Sequence, residues 1–187
     1  MDWELKQALR DQLGREQGYF SYPSGTRSRM ALAYPNSYFV GMSNLGLHII
    51  YALMNQRDDT ACERVFLPEH REQIRYEKTR TPIMSMEHQL PLYEFPLIAF
   101  VLSFEMDYFH VLRMLDLGRV CLRSRERGER DPLVIAGGPC ATFNPEPLAE
   151  VVDAFIIGEG EVIMPAFMDV YYEARRKGLP RRELLQH

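Results

Sequence analysis

Met30-Ala31-Leu32-Ala33-Tyr34-Pro35-Asn36-Ser37-Tyr38-Phe39-Val40-Gly41-Met42-Ser43-Asn44-Leu45-Gly46 is an apolar run, a polar glycine-containing turn and the start of a helical pattern. In that order it reads as the first strand–loop–helix step of a doubly wound α/β sheet. Ligands meet such sheets beyond the carboxyl ends of the strands. Two further turns of the same kind follow later apolar runs, Ala136-Gly137-Gly138-Pro139-Cys140 and Ile157-Gly158-Glu159-Gly160-Glu161. Three such loops in register predict one shared binding face.

Working outward, apolar runs predict strands over 29–34, 62–67, 97–103, 133–136 and 154–157. The run Leu-Ile-Ala-Phe-Val-Leu-Ser over 97–103 is apolar on both faces and belongs in the buried middle of a parallel sheet. Right-handed crossovers leave few arrangements for this alternation, so a five-stranded parallel sheet of order 2-1-3-4-5 with helices on both faces is expected. Helical spacing appears over 3–13 (Trp3, Leu5, Ala8, Leu9, Leu13), after a Ser43 N-cap (Leu45, Ile49, Ala52, Leu53), over 107–117 and over 161–175. Pro165 is tolerable only near the start of the last of these. Residues 69–80 read as helical at their start, 82–88 as a short extra edge strand, and the charge-dense 119–131 as a solvated surface loop. These elements divide the chain into an N-terminal helical extension and connector (1–27), an α/β domain (28–178) and the start of a linker (179–187). An apolar-periodic segment that stops two turns in leads us to expect the front part of a larger protein.

Composition narrows the function. The chain has 187 residues, 46% of them hydrophobic, which suits one α/β domain with a sizeable core. Lys and Arg number 22 against 26 Asp and Glu, a net charge of −4 that gives a nucleic-acid partner no global support. No apolar run approaches the roughly 20 residues a membrane span needs, and the charged N-terminus is unlike a signal peptide. The cytoplasm is therefore the expected location. Cys62, Cys121 and Cys140 are too widely spaced for a disulfide framework, a zinc site or an iron–sulfur site, and read as small core residues. Cys140 is set apart by its place in a ligand-facing loop. No close pair of histidines or carboxylates marks a metal site.

The dinucleotide pattern Gly-x-Gly-x-x-Gly is absent from the first loop, as is the Walker pattern. Glu159 and Glu161 suit the dipole at a helix N-terminus but would repel a phosphate there. Phosphate binding is therefore disfavoured, and a large neutral or amide-decorated ligand stays open.

The ordered set Tyr34-Pro35-Asn36-Ser37-Tyr38-Phe39-Val40-Gly41-Met42-Ser43-Asn44-Leu45-Gly46, Leu102-Ser103-Phe104-Glu105, Ile135-Ala136-Gly137-Gly138-Pro139 and Gly158-Glu159-Gly160-Glu161 resembles the cobalamin-binding-like domain that precedes the catalytic barrel in many radical S-adenosylmethionine (SAM) proteins. The resemblance spans roughly residues 29–175 and is nearest to an uncharacterised branch. It implies a flavodoxin- or Rossmann-like fold and an accessory role capping the barrel. It also implies cofactor or substrate contacts at Asn36, Tyr38, Gly41, Ser43, Ser103, Glu105, Gly137, Gly138, Gly158, Glu159 and Gly160. The 4Fe-4S cluster and S-adenosylmethionine would belong to a downstream barrel of the same protein, because no Cys-x-x-x-Cys-x-x-Cys appears here.

Cobalamin domains that supply a lower cobalt ligand read Asp-x-His-x-x-Gly in the first loop. Here the positions are Asn36-x-Tyr38-x-x-Gly41. A phenol with a pKa near 10 is a poor cobalt donor beside imidazole. Either cobalamin binds without a protein ligand, or the pocket has another use. Tyr38 could equally be a packing residue, and Gly137-Gly138 a tight turn. Two other readings stand beside the first: a ligand-free interaction scaffold of the same fold, and an independent flavodoxin-like flavin or nucleotide domain.

Overall fold

A computed structural model describes residues 2–186. In chain order the elements are α1 (Trp3–Leu13), β1 (Ser28–Tyr34), α2 (Tyr38–Gly41), α3 (Leu45–Asn55), β2 (Thr60–Phe66), α4 (His70–Lys78), β3 (Leu97–Val101), α5 (Asp107–Leu117), β4 (Leu133–Gly137), α6 (Pro139–Phe143), β5 (Ala154–Ile156), α7 (Gly160–Arg176) and α8 (Arg181–Leu184). The five strands form one parallel sheet in the order β2-β1-β3-β4-β5. This is the doubly wound order expected from the alternation of apolar runs and helical patterns.

Side chains alternate across the strands, so each face of the sheet has its own core. Ala31, Ala33, Val65, Ile98, Phe100, Val134 and Ala136 pack with Val111, Met114 and Leu115 of α5. Met30, Leu32, Tyr34, Leu97, Ala99 and Ile135 pack with Leu47 and Met54 of α3 and Met164 and Met168 of α7. The helix α1 serves both, placing Leu5 in the first core and Leu13 in the second.

Several local expectations are corrected. The cap of α3 is Asn44, not Ser43: Asn44 Oδ1 accepts from the Leu47 amide at 2.9 Å, while Ser43 Oγ donates back to the Phe39 carbonyl at 2.8 Å. The first loop closes into the single turn α2 before α3 begins, so Ser43 lies inside a turn. Residues 82–88 add no strand to the sheet; they make one isolated antiparallel bridge, Met84 to Pro91. The segment instead covers the open edge of β2, where Met86 N donates to the Arg64 carbonyl and Arg64 N donates to Glu87 Oε2, both at 2.8 Å. Edge groups that would otherwise recruit another chain are thereby occupied.

The 119–131 excursion is not wholly solvated. Arg127 is buried and meets Asp153 at 2.9 Å, and Asp153 also receives Arg181 at 2.5 Å and the Val134 amide at 2.7 Å. One buried carboxylate thus ties the excursion, the start of β4 and α8 together. Pro165 is the sixth residue of α7, and the helix runs through it.

Candidate functional site

The carboxyl ends of β1, β3, β4 and β5 open into a cleft of about 560 Å³ between α3 and α7. Its floor is the sheet face itself, with Leu32, Ala99, Ile135 and Ile156, and its walls are Ile50 and Met164. Polar groups stand at the mouth: Asn44, Ser103, Thr142, Glu159 and Glu161. An apolar pocket of this size with few polar groups, at the open end of a doubly wound sheet, is the usual setting for a small ligand.

The loops that form the mouth are laced to one another. The Leu102 amide donates to the Gly137 carbonyl at 2.8 Å, and the Cys140 amide donates to the Leu102 carbonyl at 3.2 Å. Asn44 Nδ2 reaches Ser103 Oγ at 3.2 Å, joining the first loop to the third strand's loop. Backbone geometry here requires glycine. Gly138 has φ +103°, and a Cβ on it would lie 2.6 Å from the Leu102 carbonyl oxygen. Gly158 has φ +111°.

Asp107 organises the loop after β3. Its buried Oδ2 accepts from the amides of Ser103 at 2.7 Å and Phe104 at 2.9 Å. Burial holds its carboxyl above the ordinary value, in spite of those two donors. As pH rises through the ordinary carboxyl range near 4, the folded state keeps a proton that the unfolded chain has released. Its contribution to stability therefore declines with pH over that window. Asp107→Asn retains an acceptor for both amides and is expected to flatten that decline, measured as urea midpoints between pH 4 and 6. An unchanged slope would mean that Asp107 titrates like a solvated carboxyl.

Among the residues singled out from sequence, Ser103, Gly137, Gly138, Gly158, Glu159 and Gly160 all line this cleft. Asn36, Tyr38, Gly41, Ser43 and Glu105 do not. Asn36 Oδ1 accepts from the Ser37 amide at 2.8 Å, and Glu105 is exposed on the loop after β3. Tyr38 faces a separate, smaller groove under α1. There its hydroxyl donates to Glu16 at 3.0 Å and its ring meets Phe66 edge-on. Burial and the Glu16 carboxylate hold the Tyr38 phenol above its ordinary value, so it stays protonated at neutral pH. Gly41 lets this packing happen, since a Cβ there would lie 2.4 Å from Phe66 Cε1. Cys140 is in α6, packed partly against the α5-side core, and does not line the cleft.

A cobalamin held by a protein imidazole does not fit these residues. Tyr38 is turned away from the cleft and engaged with Glu16, and no histidine is among the described lining residues. His48 and His110 each bond a backbone carbonyl, of Met42 and Pro35 respectively, both at 2.8 Å. Among the described residues no group of three or more His, Cys, Asp or Glu is placed to hold a metal ion. Nor is any helix among them long and apolar enough to cross a membrane.

Sequence reading missed Asn44 and Thr142 as mouth residues. Asn44 carried a signal, because Asn is among the strongest N-caps and directly precedes the apolar stripe of α3. It also missed a ring of exposed apolar side chains around the same edge. Phe39 and Leu45 follow β1, Phe104, Met106 and Phe109 follow β3, and Phe143 ends α6. Phe143 is 87% exposed and Phe39 74%.

An uncharacterized protein of Methanocaldococcus jannaschii is 26% identical over 132 residues, which cover 71% of this chain and 24% of that protein. The chain thus spans about a quarter of that relative's length. The family model described as "Radical SAM proteins, N-terminal" matches residues 46–187, well over half of the chain, and the chain belongs to that family.

Proposed function

We propose that this chain is the accessory domain of a radical SAM enzyme and seats its carboxyl edge against the catalytic barrel of the same protein, with the cleft opening toward the barrel. The observation that carries this reading is the set of exposed apolar side chains on the segments that follow β1, β3 and β4, of which Phe143 also lines the cleft. Phe39, Leu45, Phe104, Met106, Phe109 and Phe143 crowd one edge of the sheet, whereas isolated exposed apolar residues need no explanation. A relative about three times as long as this chain supports a further domain to cover them.

The path of the chain sets a condition on this arrangement. The 17-residue helix α7 carries the chain from the cleft edge to the opposite edge, about 25 Å away. Arg181 then anchors α8 there through Asp153. A barrel over the cleft therefore needs a returning segment of at least about eight extended residues.

In this reading the 4Fe-4S cluster and S-adenosylmethionine belong to the barrel, and this domain supplies position and a ligand pocket. Cobalamin enters only without a nitrogen donor from this chain. Nitrogen hyperfine splitting in the electron paramagnetic resonance spectrum of bound Co(II) cobalamin would overturn that point.

The docking itself is tested by hydrogen exchange on the chain alone and on the chain followed by its downstream region. Amides of 104–109 and 141–143 are expected to exchange at least tenfold more slowly in the longer protein. Phe104→Asp with Phe143→Asp should restore fast exchange without changing the melting of the chain alone, because both side chains are exposed. Equal exchange in the two proteins, or a downstream region without a three-cysteine cluster, would sink the proposal.

A further inference from the structure

The charge around the cleft is one-sided. Among the described residues that line the cleft there is no Lys, Arg or His, and the acidic side chains are Glu159 and Glu161, both at the mouth. Glu159 is the N-cap of α7 but makes no side-chain capping bond, so its carboxylate is not committed to the helix. The remaining polar mouth groups are the neutral Asn44, Ser103 and Thr142. Below them the lining is apolar, with Leu32, Ile50, Ala99, Ile135, Ile156 and Met164. The uncapped first amides of α7 are the one feature here that favours an anion, and the Glu159 and Glu161 carboxylates beside them oppose it, whereas a positive charge at the mouth would meet both carboxylates.

We propose that the cleft binds a small apolar molecule bearing a protonated amine, with the apolar body on the sheet face and the ammonium at Glu159 and Glu161. The volume of about 560 Å³ lies within the range of small-molecule pockets and is too confined for a folded partner. The apolar floor supplies binding by removal of water, and the two carboxylates supply the discrimination between cations and anions. Because both carboxylates are exposed, that discrimination is screened by salt. The inference rests on the cleft being a ligand site and not on the docking of the apolar ring, so the two can fail separately.

The probes are three naphthalenes of matched shape: 2-naphthylmethylamine, 2-naphthylmethanol and 2-naphthoate. Each is titrated into the 15N-labelled chain at low ionic strength, following the amides of Gly137, Gly138, Gly158 and Gly160. The amine is expected to shift these amides and to bind about tenfold more tightly than the carboxylate, with the alcohol between them. Glu159→Gln with Glu161→Gln should erase the difference while leaving the alcohol's affinity within about twofold. Thr142→Trp, at the exposed mouth, should block all three ligands in a chain that still melts normally. Half-molar salt should shrink the preference for the amine. The proposal is overturned if the carboxylate, inorganic phosphate or ADP shifts the same amides at equal or lower concentration. It is equally overturned if the amine leaves them unmoved at millimolar concentration. Slowed exchange at the apolar ring in the longer protein would leave the docking proposal standing in either case.

Discussion

Arg64→Ala is expected to lower the stability of this chain by about 4 kcal/mol, a large share of what a domain of this size possesses. Arg64 sits in β2 with its side chain 2% exposed. Its Nε donates to Glu87 at 2.7 Å and a terminal nitrogen to Glu16 at 2.8 Å. The same guanidinium lies 4.7 Å from the centre of the Tyr51 ring, and Tyr51 in turn donates to Glu87 at 2.9 Å. Burial alone would lower the Arg64 pKa, but Glu87, Tyr51 and Glu16 raise it, so the side chain is charged at every accessible pH. Deleting it leaves the Glu87 carboxylate buried beside the Glu16 carboxylate with no cation. That uncompensated charge, more than the lost attraction, is the source of the destabilisation.

The expected melting shift is about 8–16 °C for a chain of this length. Arg64→Met combined with Glu87→Gln should recover most of the loss, because the buried charge goes with its partner. A double-mutant cycle from urea midpoints measures the coupling. A loss below about 1 kcal/mol for Arg64→Ala would show that water reaches the pair in solution. The network also joins the connector after α1, the sheet and the segment over its edge. Amides of 14–20 and 84–90 should therefore exchange faster in the variant, ahead of those in β3.

Gly138→Ala is expected to cost about 3 kcal/mol. The residue has φ +103°, a region an L side chain enters only with strain. The added methyl would also lie 2.6 Å from the Leu102 carbonyl oxygen and 3.1 Å from the Leu102 nitrogen. Both are backbone atoms that cannot rotate away, so the loops after β3 and β4 must separate and weaken the bonds from Leu102 to Gly137 and from Cys140 to Leu102. Gly178→Ala is the internal control. It too has positive φ, +66°, but a methyl there meets nothing within 4 Å, so its cost should stay near about 1 kcal/mol. Equal losses for the two variants would show that the close approach at Leu102 is not kept in solution. A larger loss at Gly138 should be accompanied by shifts in the amides of Ser103 and Gly158 across the cleft.

The sheet order was open to reading from the chain because it rests on local signals. Apolar runs such as 97–103, helical spacing such as that from Leu45 to Leu53, and the fixed hand of the crossovers leave few topologies. The glycines after β4 and β5 marked the carboxyl edge for the same reason, since their backbone angles are a property of the turn itself. What Tyr38 does was not open in that way. Its spacing to Gly41 matches a ligand-bearing loop, yet whether its ring enters the cleft or the groove under α1 depends on Phe66 and Glu16, far off in sequence. Residues 82–88 carry enough apolar character to suggest a strand, but their place over the edge of β2 depends on Arg64 and Glu87 finding each other. Asn44 and Ser43 both suit a helix cap, and the turn α2 decided between them by engaging Ser43 with Phe39. Sequence thus determined the elements, their order and the edge at which a site could form, because those follow from periodicity and backbone sterics. Only the tertiary structure decided which residues of those loops line the cleft, where the Tyr38 ring goes and which charges are buried, because those depend on contacts between residues distant along the chain.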